Sequence, residues 1–140
     1  MKIGGGRFRG RNIRAPRGRK TRPSSRRLKK TLFDILASEL SGACVLDLFA
    51  GAGALGLEAL SRGAAHVTFV ESSRSAVSAI ESNLGAFSLT DRAEVLRLEV
   101  IPALYRLSGA GKVFDVILLD PPYGATLQGE LLERIDEMSL

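Results

Sequence analysis

Two groups of residues carry types that chemistry needs. The first is Asp120-Pro121-Pro122-Tyr123, which places a carboxylate, a backbone carbonyl, two prolines and an aromatic ring within four positions. An exocyclic amino group conjugated to a base is a poor nucleophile, and its attack requires the lone pair to be turned toward the electrophile. The Asp120 side chain and the Pro121 carbonyl can each accept one N–H bond. That fixes the nitrogen and favours the positive charge developing on it. Two prolines stiffen the loop, and Tyr123 offers a face for a base removed from its stack. Aligning the reacting atoms is then mainly a proximity effect. Taken alone, the same four residues would also make a turn.

The second group is Asp47-Leu48-Phe49-Ala50-Gly51-Ala52-Gly53-Ala54-Leu55-Gly56, with Glu71 downstream. Gly51, Gly53 and Gly56 match G-x-G-x-x-G, a dinucleotide fingerprint when read by itself. Asp47 argues against a pyrophosphate, because a carboxylate at the mouth of the loop would repel it. It suits a ligand with an ammonium group and a sulfonium charge, such as S-adenosylmethionine. The glycines allow close backbone approach, and Glu71 can accept both ribose hydroxyls. The alternative for Asp47 is a helix cap or a buried, hydrogen-bonded acid.

These residues need a frame, and hydrophobic periodicity supplies one. Residues 44–48, 66–70, 94–98 and 114–119 read as strands. Residues 26–39, 54–62, 73–84, 101–107 and 127–138 read as helices. Ser25 is the expected cap of the first helix, whose inward face is expected to be Leu28, Leu32, Ile35 and Leu36. Gly63 and Gly85 are the expected stops of the second and third helices. Alternating strands and helices imply an α/β fold, a parallel doubly wound sheet with helices on both faces. Both chemical groups then lie at its carboxyl edge, where such folds bind ligands.

Charge is divided along the chain. Residues 1–30 hold thirteen of the twenty Lys+Arg and no acid, while the remainder holds seven bases and all fifteen acids, giving +13 and −8. A segment so basic calls for a polyanion, and nucleic acid is the natural one. Arg26, Arg27, Lys29 and Lys30 crowd a helix start, where positive charge opposes the macrodipole unless an anion is near. Residues 1–23 read as a basic arm or small hairpin, and residues 24–140 as the catalytic domain. Within the arm, Arg7-Phe8-Arg9-Gly10-Arg11 could stack on a base and neutralise phosphates, or Phe8 could simply anchor the arm. Cys44 is expected to be a small buried side chain, and with His66 is too little for a zinc site, so no metal is expected. No apolar run reaches membrane-spanning length and no leader is evident, which points to the cytoplasm and to no membrane partner.

Taken together, these residues resemble the bacterial 16S ribosomal RNA guanine-N2 methyltransferases of the RsmD type. The resemblance covers essentially the whole chain. It rests on Gly5-Gly6-Arg7-Phe8-Arg9-Gly10-Arg11, on Arg22-Pro23-Ser24 with Arg27 and Leu32-Phe33, on the stretch Asp47 to Gly63, and on Phe114-Asp115 with the Asp-Pro-Pro-Tyr tetrapeptide. It implies a Rossmann-like class I methyltransferase fold that methylates a guanine N2 in 16S rRNA or the small ribosomal subunit particle. It implies that Asp47, Phe49, Ala50, Gly51, Gly53, Glu71, Ser72, Glu99 and Val100 hold S-adenosylmethionine. It implies that Asp120 to Tyr123 hold the base, that Arg7, Arg9, Arg11, Arg22 and Arg27 meet RNA, and that the Arg22-Pro23 region closes over the donor. Departures are Ser24 where the family usually has Thr, Lys30 where it often has an acid, and Glu99 where Asp is expected. The family sheet has seven strands and this chain stops after the fourth, so an open edge on residues 114–119 is expected, inviting self-association.

Three other readings fit parts of the sequence. A DNA adenine-N6 methyltransferase would use the same tetrapeptide. A non-catalytic RNA-binding fragment would use the arm alone. An NAD-dependent oxidoreductase would leave both Asp47 and residues 120–123 unexplained.

Overall fold

The computed structural model describes residues 1–16, 26–120, 125–138 and 140, with 26–28 and 125–128 described by their backbone alone. Ser25, Arg22, Pro121, Pro122 and Tyr123 fall outside the described residues. The elements run α1 (Arg26–Leu40), β1 (Cys44–Leu48), α2 (Ala54–Ser61), β2 (His66–Val70), α3 (Arg74–Ala86), β3 (Ala93–Leu96), α4 (Val100–Gly109), β4 (Val116–Leu119) and α5 (Ala125–Glu137), with one 3-10 turn at Thr90–Arg92. The expected alternation is borne out, with strand bounds that differ mainly in β3 and β4.

All strand pairs are parallel, in the order β3-β2-β1-β4. Leu48 pairs with Val70 on one side and Leu119 on the other, so the carboxyl ends of β1, β2 and β4 are level. Successive side chains point to opposite faces, and both faces are covered. Val45, Val67, Phe69, Val116 and Leu118 pack with α1, α2 and α3. Leu46, Leu48, Val70, Leu96, Ile117 and Leu119 pack with α4 and α5. Asp47 shares the parity of Val45, so its carboxylate points under α2. β4 lies at a sheet edge, as expected.

Tertiary packing overrides three local expectations. The inward stripe of α1 is Lys29, Phe33, Leu36 and Leu40, not Leu32 and Ile35; Ile35 is 72% exposed and Phe33 fully buried, and the Leu28 side chain lies outside those described. The helix turns this way because the Lys29 ammonium finds the buried Glu58 carboxylate at 3.2 Å. Gly85 does not stop α3. The chain continues to Ala86, and Ser88 at φ 56° takes the left-handed position, with Leu89 N–H bonded to Leu84 O at 2.9 Å. That extension carries Phe87 into contact with Phe8, ring centres 5.3 Å apart. Cys44 is exposed rather than buried, because it is the first strand residue at the amino edge, where its N–H meets the Asp115 carboxylate at 2.9 Å.

Residues 1–13 fold back as a hairpin, with Lys2 bridged to Asn12. Ile3, Phe8 and Ile13 are buried in the same core as α1, α2 and α3. At about 2 kcal/mol per large apolar side chain fully buried, these three favour docking, and the hydrogen bonds accepted by Glu58 and Ser61 add to them. Gly6, at φ 76°, fits because a Cβ there would meet Ser61 O at 2.0 Å. Among the described residues no helix is long and apolar enough to cross a membrane.

Candidate active site

β1 delivers the chain to a tight loop before α2. Phe49 has φ 56°, a left-handed conformation that is costly for a bulky side chain. Ala50 N–H then bonds Val70 O at 3.0 Å, and Gly53 N–H bonds Ala50 O at 2.8 Å. Gly51 (φ 57°) and Gly53 (φ 85°) supply the other left-handed residues. The glycines are not equivalent. Nothing lies within 4 Å of a Cβ built on Gly51, so open space stands before it. A Cβ on Gly53 would meet Ile80 and Phe69 at 3.2 Å, and one on Gly56 would meet Phe69 at 2.2 Å and Asp47 at 3.0 Å. Gly51 therefore faces outward, while Gly53 and Gly56 let α2 settle on the sheet.

Three carboxylates converge on this loop. Asp47 is 1% exposed, and its Oδ2 accepts the Gly56 N–H at 3.0 Å. Burial pushes its pKa up to about 7; the Gly56 amide opposes that, and the neighbouring charges of Asp120 and Glu71 add to it. Glu71, half-buried at the end of β2, accepts Gly51 N–H at 3.0 Å on Oε1 and Ser73 N–H at 2.7 Å on Oε2. A carboxylate has about four acceptor positions, so two remain for hydroxyl donors. Asp120, exposed, follows β4 directly.

Of the remaining expected donor residues, Ser72 adjoins Glu71, whereas Glu99 and Val100 follow β3, the strand that pairs with β2. Ser72 is exposed between Glu71 and Ser73. Glu99 is exposed at the cap of α4 without a side-chain cap bond, and Val100, its first residue, is buried. Among the described residues no group of three or more His, Cys, Asp or Glu could hold a metal.

This site has the chemistry S-adenosylmethionine needs. A carboxylate whose pKa is raised chiefly by burial, and further by two neighbouring acids, would be stabilised by a ligand with ammonium and sulfonium charge. Gly51 leaves open space at the backbone, and Glu71 has two acceptor positions that could take hydroxyl donors.

The hairpin presents Arg7, Arg9 and Arg11 outward. Its inner side is held by Glu58 on α2, whose Oε1 accepts Gly4 N–H at 2.8 Å and whose Oε2 accepts Gly5 N–H at 2.9 Å. Burial alone would raise the Glu58 pKa. The Arg62 guanidinium at 2.8 Å, the Gly4 amide and Lys29 outweigh it, and the group sits below the ordinary carboxylate range. Phe8 takes the anchoring reading: it is 8% exposed against Phe87, so its ring is not open to a base. The Arg11 guanidinium covers Phe87 at 4.5 Å instead. The Arg27 side chain is not among those described.

Two features escaped the sequence reading. One is the left-handed Phe49, which carries no sequence signal. The other is Asn83, 4% exposed between the apolar positions Ile80 and Leu84 on α3. A lone amide on an otherwise apolar helical stripe was the available clue.

The chain is similar to known proteins in both sequence and fold. The family model described as conserved hypothetical protein 95 matches residues 1–140. YlbH of Bacillus subtilis is 38% identical over the whole chain, which covers 76% of that protein. Ribosomal RNA small subunit methyltransferase D of Escherichia coli K12 is 36% identical over 137 residues, 98% of this chain and 67% of its own. The solved structure of a Thermus thermophilus hypothetical protein, TTHA0928, superposes with a TM-score of 0.84 at 37% identity, over 96% of this chain and 78% of that one.

Proposed function

This chain belongs to the conserved hypothetical protein 95 family, the RsmD-type S-adenosylmethionine-dependent methyltransferases, and on that premise we propose that it methylates the exocyclic N2 of a guanine in small-subunit ribosomal RNA. The observation that carries the reading is the meeting of Asp47, Gly51, Glu71 and Asp120 at one edge of the sheet, with Asp120 and Glu71 both close enough to raise the Asp47 pKa. The named ribosomal RNA relative supports the substrate class. The outward arginines of the hairpin support a polyanionic partner.

S-adenosylmethionine, when bound, supplies an electrophilic methyl group on a sulfonium. Asp47, Phe49, Ala50, Gly51, Gly53, Glu71, Ser72, Glu99 and Val100 are the residues we assign to it. Gly51 admits it to the backbone, Glu71 accepts ribose hydroxyls, and the Asp47 charge favours the ligand's cations. Asp120 accepts one N–H of the guanine amino group, turning the lone pair outward and stabilising positive charge on nitrogen. On the same reading Pro121 is assigned as the second acceptor and Tyr123 as the ring on which the base stacks, with Pro122 in the same base-binding group. Arg7, Arg9, Arg11, Arg22 and Arg27 neutralise RNA phosphates.

The test is calorimetric titration with S-adenosylmethionine, with Asp47→Ala as control, followed by nucleoside mass analysis of treated 16S RNA and of DNA. N2-methylguanosine in the RNA is expected. N6-methyladenine in the DNA would move the assignment to DNA, and RNA binding with no donor binding would leave only a binding fragment.

A further inference from the structure

We infer that Asn83 is a positioning residue that joins the donor loop to the base of the basic hairpin, so that ordering either one orders the other. The inference rests on the donor and RNA assignments above, but its geometry does not.

A side-chain amide has two N–H donors and one carbonyl acceptor. Asn83 uses all of them inside the protein. Its Oδ1 accepts the Arg14 N–H at 2.9 Å, and its Nδ2 donates to the Arg14 carbonyl at 3.1 Å. The same Nδ2 donates to the Ala52 carbonyl at 3.3 Å. Pairing both main-chain groups of Arg14 imitates one rung of a sheet. It grips the backbone and leaves the guanidinium outward, near Ser82 Oγ at 3.4 Å.

The third bond reaches the donor site. Ala52 lies between Gly51 and Gly53, the two left-handed glycines of the loop. That loop is held elsewhere by Glu71 at the Gly51 amide and by Asp47 at the Gly56 amide. Asn83 fixes the carbonyl between them. Arg14 follows directly on Ile13, the last buried apolar residue of the hairpin that presents Arg7, Arg9 and Arg11. One buried amide therefore touches both the loop assigned to the donor and the segment assigned to RNA.

Burial makes the link cooperative. An apolar side chain would suit this stripe, and an amide is tolerated only when its hydrogen bonds are made. If residue 14 leaves, Asn83 loses two partners, and the Ala52 carbonyl loses the restraint that fixed its donor. If the loop shifts, the amide must turn and release Arg14. A first ligand that orders one segment removes part of the cost of ordering the other, which is positive coupling.

The experiment uses hydrogen exchange at single amides, with S-adenosylhomocysteine as the donor-site probe. Wild type is compared with Asn83→Ala, which removes all three bonds. Asn83→Asp keeps the acceptor for Arg14 N–H and replaces the donor with a second oxygen; it also serves if the alanine variant does not fold. Saturating probe is expected to slow Arg14 amide exchange about tenfold in wild type and not in either variant, though both still bind it. RNA affinity is expected to rise by a similar factor with the probe in wild type only. Equal slowing at Arg14 in wild type and variants overturns the link. If wild type does not bind the probe, the donor assignment is what fails. The link is then decided without ligand: Arg14 and Gly53 amides must exchange faster together in Asn83→Asp, and unchanged rates sink it.

Discussion

Asp47 Oδ2 accepts the Gly56 amide at 3.0 Å, so one bond ties the end of β1 to the first turn of α2 beneath the donor loop. The carboxylate is almost fully buried and titrates at about 7, near physiological pH. A group placed in this way costs stability in exchange for a local charge, a combination expected at functional sites.

Replacing Asp47 with Asn should separate stability from binding. The native pKa lies above the unfolded value of 3.8, so the favourable contribution is complete below about pH 4 and is lost as pH rises through about 7. A rise from 3.8 to about 7 corresponds to a loss of about 4 kcal/mol once the group is ionised. Asn can accept the same Gly56 bond without the charge. Thermal melts should show Asp47→Asn more stable than wild type at pH 8, with the gap closing toward pH 4. Calorimetry should show S-adenosylmethionine affinity reduced at least about tenfold. A variant that melts lower than wild type at pH 8 would refute this account.

Gly56→Ala should destabilise the fold directly. The added Cβ would stand 2.2 Å from the Phe69 ring. Overpacking of this kind costs about 1–3 kcal/mol, read as a lower urea midpoint at unchanged slope. Gly51→Ala meets no atom and should suffer only from its left-handed backbone, about 1 kcal/mol, with the larger loss in donor affinity.

Glu58→Ala should release the hairpin. Lys29 and Arg62 would remain in place without their shared anion, and breaking a buried ion pair from one side costs about 3–5 kcal/mol. Exchange at the Gly4 and Gly5 amides should accelerate more than exchange in β1. Because the Glu58 pKa is lowered, its stabilisation exists above the unfolded pKa and disappears as pH falls through the folded one. Hairpin exchange in wild type should therefore accelerate under acid conditions, and uniform acceleration across the sheet would contradict a local clamp.

Asp120→Ala and Arg9→Ala should separate catalysis from RNA binding. Loss of a preorganised acceptor at the reacting nitrogen lowers kcat by about 10²–10³, with donor affinity little changed. Arg9 is exposed, so its loss should weaken RNA binding and reduce the salt slope by about one, with kcat unaffected at saturating RNA. If Arg9→Ala leaves the slope unchanged, the hairpin's outer face is not the phosphate contact.

What the sequence determined by itself was the local pattern and its consequences. Short apolar runs separated by helical periods set the parallel sheet. The order Asp47, glycine loop, Glu71, Asp120 put those residues at its carboxyl edge. Such signals lie within a few residues of one another and survive without knowledge of the partners. Tertiary structure decided which surfaces meet. The rotation of α1 depends on Lys29 finding Glu58, 29 residues away. The length of α3 depends on Phe87 finding Phe8, and Cys44 is exposed because of its place at the sheet's amino edge. Residues 1–13 form a docked hairpin because Ile3, Phe8 and Ile13 have a core to enter, although their spacing of five residues is neither the helical nor the strand period. Asn83 shows the same division: its type stands in the sequence, but its bonds reach Arg14 and Ala52, 69 and 31 residues distant, and only folding brings those atoms within reach.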